Sequence, residues 1–162
     1  MRARWETAFI HDARYNRVMT ADEEIALMPN MFSLKERRLG NVKVYTFDVL
    51  DVESGLIAGE ISLRFGESRP LYYLGHVGYH IDPPYRGHGW ATRACRLCLP
   101  LFSDIGMNSF SVTTDTDNFA SRKTCEHIGC LLESIVYVPE DIRKAFQLPN
   151  QKCRYIYCAK LP

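Results

Sequence analysis

The run Asp82-Pro83-Pro84-Tyr85-Arg86-Gly87-His88-Gly89-Trp90-Ala91 carries the residue types that build a main-chain anion site. It follows a predicted strand and opens a predicted helix. The two prolines stop strand pairing, and Gly87 and Gly89 let the backbone turn so that successive N–H groups point into one concavity. The unpaired N–H groups of a helix start and the positive end of its macrodipole add to that field. The chemistry favoured is capture of a phosphate or pyrophosphate, with Arg86 either bracing the loop or touching the ligand. The Gly-Lys-Ser/Thr ending of a nucleotide-hydrolysing P-loop is missing, which argues against Mg-nucleotide chemistry. So is the three-glycine spacing of a dinucleotide fold, and antiparallel strands precede the loop. A plain strand-to-helix turn, with glycines that satisfy geometry alone, is the competing reading.

Six cysteines are the next candidates: Cys95, Cys98, Cys125, Cys130, Cys153 and Cys158. Cys95 and Cys98 form one CxxC, with no second CxxC or paired histidine at zinc-like spacing. They fall in an apolar helical stretch and read as small core residues. His76 and His80 are four apart on a strand, where a metal would need a carboxylate from elsewhere. No metal site is expected.

Periodicity supplies the elements that hold these residues. A strand is predicted near Trp5–Ile10, then a helix from about Thr20, with Asp22, Glu23 and Glu24 in its first turn and Pro29-Asn30 at its end. Val42–Val52 reads as a strand, followed by a Glu53-Ser54-Gly55 turn. In the next strand Ile57, Gly59, Ile61, Leu63 and Phe65 fall on one face, and Ala58, Glu60, Ser62 and Arg64 on the other. Leu71–Ile81 reads as a further strand, with Gly75 and Gly78 marking a bulge or close backbone approach. From Trp90 the period becomes helical, and Pro100 should bend or finish that helix. Phe110–Thr114 is a strand, Asn118–Ile128 a helix stopped by Gly129, and Leu132–Val138 and Cys153–Leu161 a closing pair of strands around the Pro139–Gln151 loop. The order is that of a mixed-direction α/β sheet.

With 162 residues the chain is expected to be one domain, 1–162. Twenty Lys and Arg against nineteen Asp and Glu leave no footprint of a nucleic-acid partner. No apolar run is long enough to span a membrane, and the first residues lack a signal-peptide core, so a cytoplasmic location is expected.

Arg86-Gly87-His88-Gly89-Trp90-Ala91 resembles the Arg/Gln-x-x-Gly-x-Gly/Ala signature of the GNAT superfamily of acetyl-CoA-dependent N-acetyltransferases. Downstream, Asn118-x-x-Ser121 and Glu126-His127-Ile128-Gly129-Cys130 are similar to the Asn-x-x-Ser and Glu-Lys-x-Gly-Phe pattern frequent in the branch of ribosomal-protein N-terminal acetyltransferases. The resemblance covers Gly75 to Cys130 well. It implies an α/β (α+β) fold with a mixed, mostly antiparallel central sheet of about six to seven strands and helices on both faces. It also implies that backbone N–H groups of Gly87, His88, Gly89, Trp90 and Ala91 hold the pyrophosphate of acetyl-CoA, while Tyr79, His80 and Ile81 pair with the pantetheine arm like another strand. The Phe110–Thr114 strand would splay from it to admit the thioester. Asn118 and Ser121 would touch the coenzyme or organise that gap, although Asn118 suits a helix N-cap equally well.

The implied reaction is direct attack of a primary amine on the thioester within a ternary complex. An amine of pKa about 10.4 is neutral in roughly one molecule in a thousand near pH 7, so burial, a base or a water relay must help. The carbonyl oxygen needs an N–H donor, expected near Ile81, and the departing thiolate needs a proton. Many relatives place a tyrosine on the second helix for that purpose; here the position is Cys125, a proton donor or an inert core thiol. Thr113 stands where some relatives carry a carboxylate base. His76, or Glu60 on the neighbouring strand, is the alternative base, and a water acting through backbone carbonyls is a third option. The N-terminal helix region and the Pro139–Gln151 loop should shape the acceptor pocket, with Tyr72, Tyr73, Tyr79, Tyr155 and Tyr157 as aromatic walls or sheet packing. The expected partners are acetyl-CoA and an amine acceptor, with a homodimer left open. The acceptor would be a small metabolite, an antibiotic-like amine or a protein N-terminus. A non-catalytic acyl-CoA-binding domain is the alternative, and a redox or metal protein using the cysteines a third reading.

Overall fold

The computed structural model describes residues 20–31 and 37–159, so the strand expected at Trp5–Ile10 lies outside the described residues. Where a helix was expected from Thr20 there are two strands, β1 (Thr20–Ala21) and β2 (Ile25–Met31), paired antiparallel. The reason is local. Asp22 Oδ1 accepts the backbone N–H groups of Glu24 and Ile25 at 2.8 and 2.9 Å, giving the chain a side-chain-closed turn in place of a first helical turn. Ile25 and Leu27 are then buried, and Pro29 sits at a register shift against the next strand, where its missing donor is harmless.

β3 (Lys43–Asp51) and β4 (Ile57–Phe65) form the expected hairpin. Asp51 closes its turn by accepting the Ser54 hydroxyl at 2.6 Å. A register shift at Val49/Leu50 turns Ala58 inward, so it is buried, against the simple alternation.

The predicted strand Leu71–Ile81 is instead a short helix, α1 (Arg69–Leu74), followed by β5 (Val77–Ile81). Ser68 caps the helix by accepting the Leu71 N–H at 3.2 Å, with Pro70 in the first turn. Gly75 ends it at φ 75°, and a Cβ there would lie 2.8 Å from the Thr113 nitrogen. The last carbonyls of α1 and its C-cap find side-chain donors: Arg154 on Tyr72 O at 2.8 Å, Thr113 on Tyr73 O at 2.8 Å, and Arg64 on the cap's Gly75 O at 3.1 Å.

α2 (Trp90–Asp104) continues past Pro100, which lies on its exposed face. β6 (Ser109–Asp115), α3 (Phe119–His127), β7 (Leu131–Tyr137), α4 (Glu140–Phe146) and β8 (Gln151–Cys158) complete the chain. Among the described residues the sheet has eight strands in the order β1-β2-β3-β4-β5-β6-β8-β7. It exceeds the expected six to seven because β1 and β2 replace the N-terminal helix. Among these pairs only β5 and β6 run parallel.

One sheet face holds the main core. Phe47, Ile61 and Tyr79 are neighbours in register, and Ala94, Cys95, Cys98 and Phe102 of α2 and Cys125 and Ile128 of α3 pack on that face. The opposite face carries a smaller cluster of Leu39, Val42 and Leu71, with Phe146 of α4 against it. Phe102 joins helix to sheet, with ring centroids 5.0 Å from Phe65 and 4.2 Å from Phe110. Urea denaturation of Phe102→Ala should show a loss of about 3–5 kcal/mol of unfolding free energy, the usual cost of truncating a buried phenylalanine.

Candidate active site

β5 and β6 share one registered pair, Val77 with Val112. At this end His76 N–H donates to Ser111 O at 2.7 Å, and Ser111 N–H donates to His76 Nδ1 at 3.0 Å. A ring nitrogen thus completes a ladder bond that no backbone carbonyl of β5 makes. Toward their C-terminal ends the strands part, and α2 and α3 both begin at that end. A cavity of about 640 Å³ opens between them. Its walls are Tyr79, His80 and Ile81 from β5, Arg86, Gly87, Gly89, Trp90 and Ala91 from the loop and α2, and Asn118, Ser121, Lys123 and His127 from α3 and its cap. Among the described residues no Asp or Glu lines it.

The loop is built as an anion cradle. Pro83–Tyr85 form a 3-10 turn in which Tyr85 N–H bonds Asp82 O at 2.9 Å, and Arg86 Nε donates to Ile81 O at 2.7 Å. Arg86 therefore braces the loop against the end of β5. Gly87 and Gly89 take φ 86° and 74°, and a Cβ on either meets nothing within 4 Å, so glycine is required there for backbone conformation and not for room. From Gly87 to Thr92 no N–H donates to a backbone carbonyl among the described residues; the first bond of α2 runs from Arg93 N–H to Gly89 O at 3.1 Å.

The acidic turn between β1 and β2 holds the start of α2 in place. Trp90 Nε1 donates to Glu24 Oε2 at 2.8 Å, and its ring stacks on Tyr85 with centroids 5.4 Å apart. Arg93 reaches Asp22 at 2.9 Å, Glu23 at 2.9 Å and Glu24 at 2.7 Å. Burial alone would raise the Asp22 pKa, but the Ile25 and Glu24 N–H groups and Arg93 outweigh it and hold the carboxyl below its ordinary range. Arg93 neutralises carboxylates that would otherwise oppose an anion bound beside them.

Of the residues selected from the sequence, Tyr79, His80, Ile81, Arg86, Gly87, Gly89, Trp90, Ala91, Asn118 and Ser121 line the cavity; His88 is exposed beside it, its ring 6.1 Å from Trp90. Asn118 is also the N-cap of α3, its Oδ1 accepting Ser121 N–H at 3.1 Å. The three proton-transfer candidates stand elsewhere. His76 is 5% exposed, between Ser111 and Glu67, whose Oε1 is 3.2 Å from Nε2. Cys125 is 0% exposed, and burial pushes its thiol up to about 12. Glu60 is exposed on β4, directly opposite His80 in register, with Asn30 Nδ2 3.4 Å from Oε2. Burial likewise pushes the Cys130 thiol up to about 12 and raises Cys95 and Cys98, so these are protonated core groups near neutral pH. Among the described residues no group of three or more His, Cys, Asp and Glu is placed to hold a metal ion, and no helix is long and apolar enough to cross a membrane.

Sequence reasoning missed two features. It assigned Tyr79 through its backbone, yet the hydroxyl crosses the gap to Ser121, 2.7 Å from Oγ, and burial raises its pKa. It also passed over Lys123 and His127, although an i, i+4 spacing beyond Ser121 places both on one side of α3.

The family profile described as an acetyltransferase (GNAT) domain matches residues 2–131. The chain belongs to the GNAT acetyltransferase family. Among solved structures this GNAT chain is similar to RimL, a ribosomal L7/L12 alpha-N-protein acetyltransferase, with TM-score 0.63 and 14% identity over 90% of this chain and 100% of that one. It is similar to the microcin C7 self-immunity acetyltransferase MccE, solved with acetyl-CoA and AMP, with TM-score 0.60 and 16% identity over 85% of this chain and 93% of that one. Against the ribosomal-protein-S5-alanine acetyltransferase of Vibrio fischeri the TM-score is 0.58 and the identity 21%, over 78% of this chain and 66% of that one. At these identities the likeness is one of fold. Among curated proteins no sequence matches.

The buried ring of His76 has a measurable signature. Burial lowers its pKa below 6.5 despite the pull of Glu67. Its contribution to stability is thus fully present above about pH 6.5 and is lost as pH falls through the lowered folded-state value. His76→Asn, which keeps an acceptor for Ser111 N–H but does not titrate, should show a shallower loss of stability than wild type in denaturation series between about pH 7.5 and 5.

Proposed function

We propose that this GNAT protein transfers the acetyl group of acetyl-CoA to a primary amine, on a small molecule or a protein N-terminus. The observation that carries the reading is a cavity beside the gap between β5 and β6, lined by Gly87, Gly89, Trp90, Ala91 and Thr92, whose N–H groups donate to no backbone carbonyl, and by no Asp or Glu among the described residues. The donor set suits a diphosphate: several main-chain N–H groups, a helix N-terminus, and no opposing carboxylate. Acetyl-CoA, when bound, supplies an activated acyl thioester.

The chain's own residues then have these roles. Gly87, His88, Gly89, Trp90 and Ala91 bind the diphosphate through their N–H groups, with Arg86 fixing the loop. Tyr79, His80 and Ile81 offer the edge of β5 to the pantetheine arm, and an N–H near Ile81 is the donor for charge developing on the carbonyl oxygen. Ser121 and the Tyr79 hydroxyl hold the mouth of the gap, where that hydroxyl is a hydrogen-bond donor to the departing thiolate. Glu60 is the candidate base best connected to the cavity, through its register partner His80. His76 serves the geometry of the gap, and Cys125 its packing.

The burial of His76 and Cys125 favours one rival, a non-catalytic acyl-CoA-binding domain. An amine panel with acetyl-CoA separates the two: catalysis should release free CoA thiol and yield a product heavier by one acetyl group. Binding with no thiol release from any amine would support the rival. Gly89→Val should fold with a loss of about 1–2 kcal/mol from left-handed strain. Its affinity for acetyl-CoA should fall tenfold or more as the charged acceptor loses N–H donors. Unchanged affinity in a calorimetric titration would remove the loop from the site. Glu60→Gln should lower turnover by on the order of 10²-fold with little change in the KM for acetyl-CoA if Glu60 is the base. Unaltered turnover would leave that role to water and backbone.

A further inference from the structure

We infer that Lys123, with His127, seats the 3′-phosphate of the coenzyme's ribose, so that the chain selects CoA over its 3′-dephosphorylated form. This rests on the acetyl-CoA reading above and adds a second anion subsite to the same cavity.

CoA brings two separate anionic groups, the diphosphate and the ribose 3′-phosphate. A phosphate monoester carries about −1.5 to −2 charges near pH 7 and three strong acceptor oxygens. The free N–H groups of the loop can serve only one of these two groups. The uncharged pantetheine arm belongs at the gap, among Tyr79, Ser121 and the edge of β5. The long nitrogen-bearing side chains that remain in the lining are Lys123 and His127, on the far part of α3. At a rise of about 1.5 Å per residue they lie roughly 3 and 9 Å beyond Ser121 along the helix axis, on the side that faces the loop.

The cations around the cavity are not equivalent. Arg93 is held by Asp22, Glu23 and Glu24. Arg86 is turned onto Ile81 O at 2.7 Å, and Arg96 Nη2 donates to His127 O at 2.9 Å. Lys123 lines the cavity and makes no ion pair among the described residues. Of the cations around the cavity it is the one with no such partner, and among the described residues no carboxylate lines the cavity to oppose a bound anion. His127 adds a ring N–H one turn further on.

The test is calorimetric titration of the whole chain with CoA and with dephospho-CoA at low ionic strength. Wild type should bind CoA on the order of tenfold more tightly, the scale of a hydrogen bond to a charged group, and the preference should shrink as salt is added. Lys123→Gln should remove most of that preference by weakening CoA alone, while Lys123→Arg keeps it. Equal affinities for the two ligands in wild type, or a Lys123→Gln variant that weakens both alike, would overturn the subsite and leave the acetyl-CoA reading standing. Failure of wild type to bind either ligand would overturn both.

Discussion

Main-chain N–H groups are costly to leave without acceptors, and this chain leaves a row of them, from Gly87 to Thr92, at the end of one strand and the start of the next helix. Water can satisfy such a row, but an anion does so with the help of the helix dipole. Much of the surrounding structure follows from keeping that row open and uncontested. The glycines hold the backbone in left-handed turns, Arg86 fixes the loop to β5, and Trp90 is anchored to Glu24. Arg93 takes up three carboxylates that would otherwise oppose a ligand's charge. The same ion pairs tie the N-terminal strands to the helix.

The second constraint is the short contact between β5 and β6. A parallel pair that stays zipped along its length would leave no space for a thioester between its strands. Here α1 ends on Gly75, whose missing side chain lets the backbone pass close to Thr113. His76 then supplies an acceptor to Ser111, and after Val77 the strands diverge. α1 is held in turn by Arg64, Thr113 and Arg154 on its last carbonyls. The splay is thus maintained by specific hydrogen bonds at its closed end and by the Tyr79–Ser121 contact across its open end. This division explains why polar residues such as His76 and Ser111 are buried without facing the cavity.

The loop, α2, α3 and most strands were legible because their signals are local: prolines and glycines at fixed offsets, a change of period at Trp90, an Asn cap three residues before Ser121. The misread segments carry local signals that suit more than one structure. Asp22, Glu23 and Glu24 suit a helix start by composition, and only the Asx-type turn and the distant Arg93 decide for a hairpin. Leu71 to Leu74 reads as the start of a strand because it is rich in aromatic residues and runs on into Val77–Ile81, yet Ser68 and Pro70 start a helix there. At the site, residue type and spacing pointed to the cradle but could not say which way a side chain turns. His76 and Cys125 had suitable chemistry and sequence positions, and both lie in the core. Tyr79 was credited with its backbone when its hydroxyl also bridges the gap. Sidedness depends on long-range packing, which a single sequence does not display.

Amide chemical shifts provide the most direct test of the main-chain cradle. On titration with CoA, the amide protons of Gly87, Gly89, Trp90 and Ala91 should move downfield together and saturate with one common dissociation constant, as charge-assisted bonds form to phosphate oxygens. Saturable shifts confined to other parts of the chain, with these four amides unmoved, would contradict the account.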